Sequence, residues 1–302
     1  MLNELLYTVG ATLVALLLGA LALHMVPLFG EKGKRMSEAL CRAPGLDGLI
    51  TYFTALPMII PTLLLGWVGL LGGIIGQVLT VMIWTVVHEI THPRALTGPR
   101  IVHVINRAVG RWRNHGAVWL TALCVPLFWL VRLAQYVVYP PITRLVRLPR
   151  YRDEEWVAVS RQKFKGLVGH DLIWCLYCDW MTGVWSLGSE MLRNVESFWC
   201  PIRFSSENKC ANCKVDFPDI DGGWVKADGS MADVVAVLEK HYHRGDHENP
   251  WFGHPARMTV KGKVVEAPPA EVVEGVEAKG VEPVVEERVE EKKKVDDGVV
   301  PE

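Results

Sequence analysis

The forty residues from Gly48 to Val87 contain no Asp, Glu, Lys or Arg, and this run limits the possible folds more than any other feature of the chain. A helix needs only about 20 apolar residues to cross the hydrocarbon core of a bilayer, so the run is about twice one crossing. It predicts a helical hairpin. Gly66, Gly69, Gly72, Gly73 and Gly76 offer positions for a turn or for close helix packing, while Pro57 and Pro61 bend the first arm. A second uncharged run, Leu5 to Phe29, is 25 residues long and predicts another span. It is too long for the apolar part of a cleaved signal peptide, and no basic leader precedes it. The expected spans are about 5–29, 49–70 and 73–92.

Basic residues set the expected orientation, because Lys and Arg beside membrane spans favour the cytoplasmic face. Lys32, Lys34, Arg35 and Arg42 follow the first span, and Arg94, Arg100, Arg107, Arg111 and Arg113 follow the hairpin. Residues 117–141 form a third apolar run, and Arg144, Arg147, Arg150 and Arg152 come after it. A full crossing there would carry this last cluster to the opposite side. Arg132 and Pro126 within the run predict an interfacial or re-entrant element whose arginine reaches toward the headgroups. The expectation is three spans, with the N-terminus outside and residues 142–263 in the cytoplasm. A four-span alternative puts that domain outside.

The expected fold class is mainly α: a polytopic membrane region over 1–141, a small helical cysteine-bearing domain over 142–263, and a disordered tail over 264–302. Seven of the twelve tryptophans lie between Tyr151 and Met258, where charged and apolar residues mix as in a folded domain. Lys165 to Phe198 reads as helix, loosened near Gly183 and Gly188, and Ser230 with Asp233 predicts a capping box. The net charge of −1 conceals an asymmetry, since residues from Val264 onward carry −7 and the rest +6. The positive charge lies beside apolar segments, which points to lipid headgroups rather than nucleic acid. The tail repeats Val, Glu, Pro, Ala and Lys without aromatics, a composition that cannot bury a core.

The cysteines number seven, and four of them form C-x-x-C pairs, Cys175 with Cys178 and Cys210 with Cys213. An odd count with such pairs argues against a secreted disulfide framework and for metal chemistry in a reducing compartment. Four thiolates form the tetrahedral set that structural zinc prefers, so zinc at Cys175, Cys178, Cys210 and Cys213 is the expected cofactor. The 31 residues separating the pairs exceed the usual zinc-ribbon spacing, and Cys200 is a fifth candidate thiolate. Unligated thiols and redox chemistry are the alternatives.

A second motif stands at the end of the hairpin, where His88, Glu89, Ile90, Thr91 and His92 match H-E-x-x-H. On a helix the two histidines share a face and can ligate zinc together, with Glu89 as general base toward a bound water. These five residues resemble the metal motif of zinc metalloproteases. The likeness implies a hydrolase in which His88 and His92 hold the metal and Glu89 is catalytic. The chain departs from that pattern at Pro93, which ends the helix, and a third ligand is not marked, His103 and Asp171 being candidates. The H-x-x-x-H spacing is also similar to a histidine box of membrane desaturases, which need further boxes. The alternative for HEITH is a solvated polar helix end. The leading expectation is an integral-membrane binding or assembly protein whose partners are the bilayer and another protein.

Overall fold

The structure, a computed structural model, describes residues 1–148, 150–206, 223–241, 259–260 and 263–264. Cys210, Cys213 and the tail beyond Val264 lie outside the described residues. The chain is mainly helical, and three helical stretches are long and apolar enough to cross a membrane: Leu2–Leu40, Gly45–Thr91 and Arg111–Val146. A two-residue antiparallel ladder, Thr259 opposite Val264 and Val260 opposite Lys263, is the strand structure among the described residues.

Helix α1 (Leu2–Met25) leads through a 3₁₀ turn into α2 (Gly30–Leu40). Next come α3 (Gly45–Ile50), a π-turn and α4 (Leu56–Thr91). The sequence predicts a hairpin here, and the chain folds back at Gly66, whose φ of 58° and ψ of −136° break the helix. Only glycine adopts that conformation without strain. The turn falls slightly before the division expected at 70–73 because the later glycines have another use. A Cβ at Gly69 or Gly73 would run into the carbonyls of Pro61 and Pro57 on the opposite arm, so both glycines are places where the two backbones meet. Gln77 Nε2 also donates to the carbonyls of Phe53 and Thr54, at 2.9 and 2.7 Å. Lipid offers the free amide no such partner.

Helix α1 packs against the second arm through small residues. A Cβ at Gly72 would stand 2.7 Å from Thr8 Cβ, and one at Gly76 2.7 Å from Thr12 Cβ. Such stripes let helices approach closely in lipid, where packing rather than the hydrophobic effect drives association. Tyr52 OH donates to the Ala15 carbonyl at 2.6 Å, which ties α1 to the first arm as well. The outward faces remain apolar and exposed, as at Leu6, Leu63, Leu64 and Trp67.

A second layer covers the open end of the hairpin, the end that carries Asp47 on the first arm and Glu89 on the second. It contains α5 (Pro93–Leu96), α6 (Ile101–Val109), α7 (Arg111–Ala122), α8 (Val125–Val137), α9 (Tyr139–Val146), α10 (Asp153–Trp156) and α11 (Gly169–Trp199). The last described helix is α12 (Met231–His241). Its Ser230–Asp233 capping box forms as expected: Ser230 N–H and Oγ both bond Asp233 Oδ2 at 2.7 Å. Helices α7 to α9 run alongside α11. His115 meets His170, Trp119 meets Trp174, and Gln135 Nε2 donates to the Val184 carbonyl at 2.8 Å. The core of this layer is Val157, Trp180, Val184 and Leu187, all fully buried, with Ala43, Leu46, Tyr139 and Tyr151 around them.

Helix α11 runs unbroken through Gly183 and Gly188, where the sequence predicts loosening. These glycines serve close approach. A Cβ at Gly183 would collide with the Trp156 carbonyl, and one at Gly188 would press within 3.2 Å of Gln135 and Val131.

Candidate functional site

The HEITH motif closes the second arm. Helix α4 ends at Thr91, and His92 leaves helical geometry with φ −123° and ψ 58° before Pro93 begins α5, so the expected proline stop holds. His88 stands in a column of rings, stacked on Trp84 at 4.7 Å and on His92 at 4.3 Å, with His24 of α1 edge-on at 6.0 Å. Gly169 N–H donates to His88 Nδ1 at 3.2 Å, which leaves Nε2 to carry the ring proton. His92 Nδ1 donates to the His88 carbonyl at 2.8 Å. A metal ion lies in the plane of each imidazole that binds it. The His88 and His92 planes are 19° from parallel, so one ion can share both rings only after one ring swings out.

Glu89 is engaged elsewhere. Its Oε1 accepts from Arg100 Nη2 at 2.7 Å and from His170 N–H at 3.1 Å. Arg100 Nε bonds Asp171 Oδ2 at 3.2 Å, and Asp171 Oδ1 accepts from Val102 N–H at 3.0 Å. The Arg100 and Asp171 side chains are only 4% and 6% exposed, so this pair is shielded from water, while Glu89 is 22% exposed. Burial alone would raise the Asp171 carboxyl. Hydrogen bonds from His170 and Arg100, with the Arg100 charge, outweigh burial and hold it below its ordinary value of 3.8. Burial likewise opposes the Arg100 charge, but the Glu89 and Asp171 contacts raise that group overall. The arrangement clamps the end of α4 to the starts of α6 and α11.

The cysteine pair on α11 divides between environments. Cys175 is half-buried and Cys178 exposed, and neither is in a disulfide. Arg161 lies beside them, its Nε 2.7 Å from Asp179 Oδ1. A hydrogen bond to Cys175, and then the Asp179 charge, raise its pKa. Asp171, Cys175 and Cys178 are spaced i, i+4 and i+7 on α11, near one face, but Asp171 is spent on Arg100 and Val102. Among the described residues no three His, Cys, Asp or Glu side chains converge as an ion-holding group.

Sequence reasoning missed a second buried network. Arg132, expected to reach toward the headgroups, is fully buried and bonds Asp47 through Nε at 3.1 Å and Nη2 at 2.7 Å. It also bonds Asp153 at 2.9 Å, Gln135 at 2.7 Å and Tyr136 OH at 2.8 Å. Asp47, α8 and α10 are thereby joined at one point. The physical reason is proximity: a carboxylate at the hairpin end compensates the guanidinium better than solvent can. A signal was present in the sequence, since Asp47 and Arg132 are isolated charges of opposite sign beside or within apolar runs.

No protein-family model, curated protein or solved structure matches this chain.

Proposed function

We propose that this is an integral-membrane binding or assembly protein. Helix α1 and the two arms of the hairpin span the bilayer, and α7 to α11 form a layer along its cytoplasmic face. The observation that carries the assembly reading is the commitment of Glu89 to Arg100 and the His170 amide. A general base needs a carboxylate free to take a proton from water, whereas Glu89 fastens helices together. Two buried ion clusters of this kind, at Glu89 and at Arg132, suit a platform whose parts hold fixed positions. Contacts just before and within the 117–141 run support its interfacial placement. His115 sits against His170 beside Glu89, and Arg132 sits against Asp47, so both lie at the same end of the hairpin.

Zinc held by Cys175, Cys178, Cys210 and Cys213 belongs to this proposal as a structural cofactor, and the partner is another protein. Metal analysis of the detergent-purified chain, together with melting curves, tests the reading. Zinc lost with Cys175→Ser and Cys210→Ser, but retained with His88→Ala and His92→Ala, supports it. Zinc that follows the histidines instead moves the protein to the hydrolase class, with Glu89 as its base.

A further inference from the structure

An open groove of about 470 Å³ lies between α8–α9 and α11, within the size range of small-molecule and cofactor sites. Its walls are almost wholly apolar, built from Val131, Val138 and Ile142 on one side and Trp185, Met191 and Leu192 on the other. Gly188 brings the two helices together at its floor, within reach of Val131 and Gln135. The groove does not end at its rim. Leu130, Leu133 and Val137 of α8, each more than half exposed, continue the apolar surface beyond it, as does Trp199 of α11, two heptads after Trp185. A soluble surface rarely leaves an apolar patch of this extent open, and here it belongs to a chain with helices long and apolar enough for a membrane.

The charges at one end favour one occupant. Arg144, Arg147 and Arg150 are exposed just beyond Ile142, the first two within about 3 and 8 Å of rise along the chain. On α11, Glu190 is bonded to Arg193 at 2.7 Å. An apolar slot followed in the chain by three exposed arginines matches an acyl chain joined to a phosphate.

We infer that this groove binds one acyl chain of an anionic phospholipid, with the arginines after Ile142 on its headgroup. The inference rests on the interfacial placement of α8 and α11 proposed above. Bound lipid would explain the exposed Trp185 and Trp199, whose rings suit the boundary between headgroup and acyl chain.

The full-length protein is reconstituted in vesicles containing phosphatidylglycerol or phosphatidylcholine, each carrying a photoreactive acyl chain, and the crosslinked peptides are mapped. Labelling of the α8 and α11 peptides, stronger with phosphatidylglycerol, is expected. Ala134→Phe, which fills the groove, should suppress it. Arg144→Gln, Arg147→Gln and Arg150→Gln lie on the surface and should each weaken the preference for the anionic lipid by about five-fold. Labelling of α1 reports membrane insertion independently, because its exposed leucines need no groove. If α1 is labelled while the α8 and α11 peptides are not, or are labelled equally by both lipids, the lipid site is wrong and the membrane insertion of α1 stands. If α1 is not labelled either, both fail. Groove labelling that Ala134→Phe leaves unchanged, in a variant that melts like the parent, also overturns the site.

Discussion

Arg132 is fully buried against Asp47 and Asp153, so Arg132→Met strands two carboxylates in a poorly solvated place. The expected loss is about 3–5 kcal/mol, read as a lowered melting transition in detergent. Removing Asp47 and Arg132 together should cost less than the sum of the single losses, because the pair is coupled. His92 is exposed and ends its helix, so His92→Ala should change stability by no more than about 0.5 kcal/mol, whereas Glu89→Gln weakens the Arg100 cluster and should cost about 1–3 kcal/mol. Equal effects of the two substitutions would remove the distinction drawn between these neighbours. Asp171 adds a pH dependence. Its folded value lies below its unfolded one, so its contribution is fully present above about pH 4 and is lost as pH falls through the folded value. Asp171→Asn should therefore flatten the acid side of a melting-temperature profile while lowering its neutral plateau.

At the scale of elements, the apolar runs and their lengths were plain in the sequence, and so were the hairpin, the proline stop after HEITH and the capping box at Ser230. Composition and local spacing determine those features. The roles of individual glycines were not legible, because a glycine that turns the chain and one that admits a neighbouring backbone look alike in a sequence. Gly66 turns the chain, while Gly69, Gly73 and Gly183 admit neighbours. Gly183→Ala should therefore destabilise by about 1–3 kcal/mol through its collision with the Trp156 carbonyl, although alanine is the better helix former. Gly10→Ala, with open space around it, should be neutral or slightly stabilising, and comparative melting of the two variants decides the matter. The site was legible only in part for the same reason. HEITH stands out as a motif, but the partners that occupy Glu89 come from residues 100 and 170, and the partner of Arg132 lies 85 positions away at Asp47. Pairings at such separations follow from tertiary packing and leave no local spacing to read.

Among the described residues of the first 206, a short helical bundle has a layer of helices fastened across one end. The two ion clusters do the fastening, one at each arm of the hairpin. We propose that the chain crosses the bilayer three times and that residues 117–141 stay on the side where the hairpin opens. A cysteine at Trp67, one residue past the hairpin turn, and another at Asp228, in the domain beyond α11, report on that claim when a membrane-impermeant maleimide is applied to sealed vesicles of known orientation and the labelled peptides are mapped. Three crossings place Trp67→Cys and Asp228→Cys on opposite sides, with only the former labelled from outside. Labelling of both from the same side would mean that 117–141 crosses as well, and would overturn the three-span topology.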